Sequence, residues 1–147
     1  MALDRRQIKL NAGRLEGLVP ELCGLAARHI SLCSSEGIDL LVVQAYRSLG
    51  EQAAIYAQGR TAPGKVVTNA RPGFSWHNFG RAYDVAVVIE GRLLWQGAEY
   101  SRAGKIGKSL GLVWGGDFKG VRGDLGHFEY HPGLSLAQAR TAVGITK

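Results

Sequence analysis

Four polar residues stand at the ends of apolar runs or in the turns beside them: His77, Asp84, Asp124 and His127. In chain order they read His-x6-Asp and then Asp-x2-His. Two imidazoles and one carboxylate suit zinc, whose catalytic sites take three protein ligands in a tetrahedral arrangement and leave the fourth position to water. On a straight strand, residues seven apart point to opposite faces, so His77 and Asp84 reach one metal only if the chain bends between them. Gly80 offers the place to bend. Asp124 and His127, three apart in a turn, can converge on one spot without binding the same atom, which leaves Asp124 free to accept a proton from water while His127 serves as a ligand. Glu129 and His131 alternate with His127, so in a regular strand a His127/Glu129/His131 set is a second arrangement that the spacing permits. Taken singly, a strand aspartate or a histidine in a glycine turn reads as structural. Together they read as a site.

The elements that must position them follow from periodicity. Leu15, Leu18, Leu22, Leu25, Ala26, Ile30 and Cys33 keep the three-four spacing of an amphipathic helix, predicted from about Leu15 to Ser35 and ended by Gly37. His29 lies on or near that apolar stripe and is given no role. "IDLLVVQAY", Ile38 to Tyr46, is a strand that delivers Arg47 at its end. "SLGEQAAIYAQG" is a short helix capped by Ser48 and stopped by Gly59, and Arg60 to Phe74 is a long surface loop. "RAYDVAVVI" is a second strand, turned at Glu90-Gly91 into "RLLW". "EYSRAGKIGKSLG" is a helix in spite of interior glycines that each cost about 1 kcal/mol relative to Ala. "LVW" and "HFEYH" are strands, and "SLAQARTAVG" is a closing helix capped by Ser135. The expected fold is α+β, a small, mainly antiparallel sheet with helices packed on one side.

Bulk properties narrow the classes. The 147 residues suit a single domain over 1–147, and 46% hydrophobic against 20% charged residues describe a globular chain without a membrane-spanning run. The first ten residues, "MALDRRQIKL", lack the apolar core of a secretory signal, so synthesis and folding in the cytoplasm are expected. Eighteen Lys and Arg against twelve Asp and Glu give a net charge of +6, which favours anionic polymers. The basic residues are scattered and match no nucleic-acid-binding pattern, so a nucleic-acid partner is not expected. Cys23 and Cys33, about 15 Å apart along one helix, are expected as free thiols.

"SWHNFGRAYD" resembles the Ser-x-His-x-x-Gly-x-Ala-x-Asp motif of the zinc peptidases that include D-Ala-D-Ala carboxypeptidases and dipeptidases and L-alanyl-D-glutamate endopeptidases. "WGGDFKGVRGDLGHFEY" is similar to the second motif of the endopeptidase branch, and "QAYRSLGEQ" to an Arg-Ser/Thr-x-x-x-Gln segment of the family. The resemblance covers roughly Ile38 to Tyr130. It implies that His77, Asp84 and His127 ligate zinc, that Asp124 is the general base, and that Arg47 steadies the oxyanion or the scissile carbonyl. Ser75 is assigned to substrate binding or to orienting a ligand. Trp114 is assigned to substrate binding, the alternative being an anchor in the core. The activity implied is hydrolysis of the peptidoglycan stem peptide at L-Ala-D-Glu by a phage endolysin. Such a lysin would be a monomer without a separate wall-binding domain or membrane insertion, acting in the periplasm after a holin-type partner permeabilises the membrane. Two other readings follow from the same resemblance: a D-Ala-D-Ala carboxypeptidase or dipeptidase, and a non-catalytic zinc-containing binding module like the related Hedgehog-type domains.

Overall fold

The computed structural model describes residues 2–119 and 124–145, so the 120–123 stretch of the second motif lies outside the described residues. Its elements are α1 (Arg5–Leu15), α2 (Pro20–Ser35), β1 (Asp39–Gln44), α3 (Leu49–Ala57), β2 (Ala82–Ile89), β3 (Arg92–Leu94), α4 (Ala98–Ser109), β4 (Val113–Trp114), β5 (His127–Glu129) and α5 (Leu136–Ala142), with 3₁₀ turns at Trp76–Phe79 and Gly115–Asp117. Every strand pairing is antiparallel. β2 lies between β1 on one side and β5 and β3 on the other, and β4 pairs with the far side of β5. The α+β expectation holds.

Alternation along β2 separates the two faces of the sheet. Tyr83, Val85 and Val87 are buried on one face, where they join Leu40 and Val42 of β1, Phe128 of β5, Leu22, Ala26 and Cys33 of α2, and Tyr100 and Ala103 of α4 in a continuous core. Burying a side chain of this size stabilises by about 1.5–3 kcal/mol. Asp84 alternates with this set and so belongs to the opposite face, where α3 contributes Ile55 to the lining of a cleft. The hairpin expected at Glu90-Gly91 forms with both residues at positive φ, 50° and 75°, the primed-turn geometry that suits the twist of adjacent strands.

The helix expected from Leu15 to Ser35 is two helices. Gly17, Leu18 and Val19 break it, and Pro20 starts α2 at a position where a missing N–H costs nothing. α1 begins directly after its N-cap: Asp4 accepts from the Gln7 backbone N–H while the Gln7 side chain accepts from Asp4 N, a capping box. Its buried Asn11 donates to the Leu40 carbonyl (2.9 Å) and accepts from Val42 N (2.7 Å), so α1 covers the outer edge of β1 with matched hydrogen bonds. The interhelical break also touches the functional face. Val19 N donates to the Gly80 carbonyl at 2.9 Å, and a Cβ on Gly80 would sit 3.0 Å from the Gly17 carbonyl oxygen.

The glycines inside α4 have packing reasons. A Cβ on Gly104 would lie 2.4 Å from the Trp114 ring and one on Gly107 would lie 2.6 Å from Phe128, so the helix gives up propensity to let two aromatic rings approach its backbone.

Candidate active site and metal centre

His77 leaves the 3₁₀ turn just before the bend. Ser75 caps that turn, its hydroxyl accepting from His77 N at 3.2 Å, and Gly80 ends it in the left-handed region at φ 65°. The bend turns the chain into β2 and brings His77 Nε2 to 3.2 Å from Asp84 Oδ2. His77 Nδ1 donates to the Ala45 carbonyl at 2.7 Å, which leaves Nε2 as the nitrogen that faces the cleft.

His127 reaches the same carboxylate from β5, where it is the cross-strand partner of Asp84, and its Nδ1 lies 2.8 Å from Asp84 Oδ1. Its Nε2 faces Glu129 Oε1 at 2.8 Å, and Glu129 Oε2 in turn meets His131 Nε2 at 2.6 Å. Trp76 stacks on the His131 ring with centroids 4.0 Å apart. Glu129 thus bridges the two imidazoles through its two oxygens, using the His127 nitrogen that Asp84 does not meet. Among the described residues, the group able to hold a metal is His77, Asp84 and His127, whose ligand atoms all lie within 4.8 Å of one another. A tetrahedral zinc with bonds of about 2.0–2.2 Å separates its ligands by roughly 3.4 Å, so the His77–Asp84 spacing and the donor types fit that ion.

Asp124 stands at the mouth of the cleft, 63% exposed, with Oδ2 3.9 Å from His127 Nδ1. Its backbone N–H donates to the Gly115 carbonyl at 2.9 Å, and a Cβ on Gly115 would approach the Asp124 carbonyl oxygen to 2.3 Å, so the first glycine after Trp114 is what lets this acid come close. Arg47 enters from the end of β1. Its backbone N–H donates to the His77 carbonyl at 3.0 Å, and its guanidinium donates to Gln52 Oε1 at 2.9 Å. Arg47, Ser75, His77, Asp84, Asp124 and His127 all line one cleft of about 380 Å³.

Charge within the cleft is arranged by these contacts. Burial would raise the Asp84 pKa, but hydrogen bonds from His127 and His77 override it and hold the carboxylate ionised well below its ordinary range. Burial lowers and the Asp84 and Glu129 carboxylates raise the His127 pKa, and the carboxylates prevail, to about 10. A metal at Nδ1 would have to displace that proton. Asp124 titrates above the usual aspartate value because the cleft removes part of its water and Asp84 adds a like charge. Desolvation lowers the Arg47 pKa, and Asp84, Glu51 and Asp124 partly restore it.

Trp114 is the one expected site residue that the structure does not bring to this cleft. Its ring packs against the core between Gly104 and Gly116, and its Nε1 donates to the Leu125 carbonyl at 2.7 Å. Gln52 and Asn78 were given no role from the sequence. Gln52 is fully buried, its Oε1 accepts from Arg47 and from Asn78 Nδ2 (3.3 Å), and its Nε2 donates to the Ala70 carbonyl at 2.7 Å. Asn78 Nδ2 also donates to the Arg47 carbonyl at 3.0 Å. The pair fixes both the arginine and the returning end of the 60–74 loop. The spacing of Gln52 from Arg47 was visible in the sequence, but polarity alone would put Gln52 on a solvated helix face.

Fold and site together define a small α+β domain whose sheet carries a two-histidine, one-carboxylate metal-binding set beside an acid and an arginine. A family model described as D-alanyl-D-alanine carboxypeptidase matches residues 68–130, the segment containing all three ligating candidates and Asp124. The chain is 40% identical over 110 residues to the peptidoglycan L-alanyl-D-glutamate endopeptidase CwlK of Bacillus subtilis (strain 168), a match covering 67% of this chain and 65% of the relative. The chain thus spans just under two thirds of that relative's length. Among solved structures, the L-Ala D-Glu endopeptidase ChiX of Serratia marcescens superposes with a TM-score of 0.61 at 22% identity, over 89% of this chain and 90% of the other. A vancomycin-resistance D,D-pentapeptidase VanY, solved with Zn(II), does so with a TM-score of 0.54 at 18% identity, over 83% of each chain. These two likenesses concern the fold. The chain is thus similar to the D-alanyl-D-alanine carboxypeptidase family over residues 68–130 and to an L-alanyl-D-glutamate endopeptidase over 110 residues.

Proposed function

We propose that the chain is a zinc-dependent peptidoglycan peptidase that cuts the stem peptide at the L-Ala-D-Glu bond. The observation that carries this reading is the meeting, in one cleft, of His77, Asp84 and His127 with Asp124 and Arg47. A structural metal site would need neither of the last two, which weighs against a non-catalytic binding module. The choice of bond rests on the relative that shares 40% identity, an endopeptidase acting at L-alanyl-D-glutamate.

His77 Nε2, His127 Nδ1 and the Asp84 carboxylate would hold the ion. When bound, zinc supplies a Lewis acid that acidifies a water molecule and polarises a carbonyl. Asp124, beside the ligands yet free of them, takes a proton from the attacking water and returns it to the leaving amine. Its raised pKa, set by loss of water in the cleft and by the Asp84 charge, makes it a stronger proton acceptor than a free aspartate. Arg47, steadied by Gln52, turns its charge toward the negative oxygen that develops in the tetrahedral transition state. Ser75 lines the same wall of the cleft and is available to bind substrate.

We further infer a lytic role, in which a holin-type partner opens the membrane and the enzyme acts as a monomer on the wall from the periplasm. Its support is the net charge of +6, suited to an anionic wall. No helix among the described residues is long and apolar enough to cross a membrane.

Mass spectrometry of purified peptidoglycan digested with the protein, with zinc and after chelation, tests the reading. New D-Glu amino termini that vanish on chelation are expected. Release of D-Ala alone would assign the carboxypeptidase branch instead, and uncut peptidoglycan with zinc bound would favour a binding module.

A further inference from the structure

We propose that the cleft continues past Asp124 into a second pocket, and that Trp95 at the rim of this pocket stacks on the muramyl sugar to which the stem peptide is attached. This pocket, of about 760 Å³, shares Asp84 and Asp124 with the metal-binding cleft and opens on its other side, toward the β3–α4 turn. Trp95 and Gln96 line it, and Tyr100 closes its floor. Trp95 is 62% exposed, the most exposed of the three tryptophans, whereas Trp114 is packed against the core and Trp76 is stacked on His131. An indole left in water beside a reacting centre presents an apolar face and a polar N–H edge, the combination that recognises the alternating faces and hydroxyls of a sugar ring.

The substrate's own chemistry decides which ligand meets it, and this step rests on the L-Ala-D-Glu reading. In the stem, L-Ala is the first residue and is joined through a lactyl group to the muramyl ring. Cutting after L-Ala therefore places the sugar about 7 Å from the reacting carbonyl, two residue-lengths of extended chain. The cleft has two sides to offer. Among the described residues lining the two pockets, the one arginine or lysine is Arg47, on the Ser75 side, which suits the anionic D-Glu half. The Trp95 side has no such cation and receives the neutral, bulky muramyl-L-Ala half.

Calorimetric titration of the zinc-loaded protein with N-acetylmuramyl-L-alanine and with N-acetyl-L-alanine tests this without catalysis. The wild type should bind the muramyl compound more tightly. Trp95→Ala should weaken that binding roughly three- to tenfold and leave N-acetyl-L-alanine unchanged, while Trp95→Phe should keep most of it. Equal affinities of the wild type for the two compounds, or a Trp95→Ala variant that binds the sugar normally, would overturn the subsite. The digest separates this from the reading beneath it. A cut at another bond together with Trp95-dependent muramyl binding removes the reading and keeps the subsite, and an L-Ala-D-Glu cut with a silent Trp95→Ala removes the subsite alone.

Discussion

Asp124 differs from the three ligating candidates in how it is held. His77, Asp84 and His127 are each fixed by two or more contacts, whereas the Asp124 side chain projects from a turn and stays mostly in solvent. A group placed so can lose its carboxylate without disturbing the donor set. Asp124→Ala should therefore lower turnover by at least a factor of about 10² to 10⁴ while metal content, read by elemental analysis, is unchanged. His127→Ala should lose both metal and activity, because it removes one of three ligands; near-normal turnover in the Asp124 variant would remove it from the role of base. Arg47 makes the complementary case. Its fork reaches Gln52 with one nitrogen and leaves others for the cleft, a geometry the single ammonium of lysine cannot copy. Arg47→Lys should cut kcat at least tenfold with metal still bound. At this scale the ligating candidates were legible because histidine and aspartate flanking a glycine bend are chemically uncommon inside apolar runs. Asn78 and Trp95 were not, and of Gln52 only its place in the Arg-Ser/Thr-x-x-x-Gln segment was, since what it does depends on what folds against it.

Elements show the same division between local and tertiary information. Capping signals at Ser48 and Ser135 were legible and form as capping boxes, since the partners lie three residues away. The break between α1 and α2 was missed because apolar spacing runs through it, and only the approach of Gly17 to Tyr46, 2.9 Å for an added Cβ, and of Val19 to Gly80 shows why the chain must turn there. Glycines in helices make the contrast measurable. Gly24 in α2 has open space where a side chain would go, so Gly24→Ala should gain about 0.5–1 kcal/mol and raise Tm by about 2–4 °C. Gly107→Ala should gain the same propensity and lose more, about 1–3 kcal/mol, as its methyl meets Phe128 at 2.6 Å and His29 Nε2 at 3.2 Å. Thermal denaturation of the two variants should shift in opposite directions. A stabilised Gly107 variant would mean that the α4–β5 contact is looser than its geometry indicates.

Across the whole molecule, the core was legible as a set of residues, but its buried ionisable groups were not, because nothing in an apolar stripe tells which polar atoms will find partners. His29 was set aside as a helix residue without a role. It proves fully buried, with Nε2 donating to the Ala103 carbonyl at 2.8 Å, so that Nδ1 must accept from the Tyr83 hydroxyl at 2.7 Å. That arrangement needs a neutral imidazole, and burial accordingly lowers the His29 pKa. Two acids belong to the same core. Burial pushes the Cys33 thiol up to about 12 from its ordinary value of 9.0, and holds the Tyr83 phenol well above its ordinary value. Both are raised in the folded state, so the unfolded chain releases these protons first as pH rises. Their contribution to stability is complete below about pH 9 and is lost progressively up to about pH 12, at about 1.4 kcal/mol per pH unit for each group that is ionised only in the unfolded chain. Urea midpoints should accordingly fall steeply between pH 9 and pH 11. Cys33→Ala removes one of the two titrations. It should start less stable at pH 8, since it leaves a small cavity in the core near Tyr83, and should lose stability more slowly above pH 9, so that its curve approaches the wild-type curve. Parallel curves for the two proteins would show that the thiol ionises in the folded state as readily as in water, which a fully buried Cys33 does not allow.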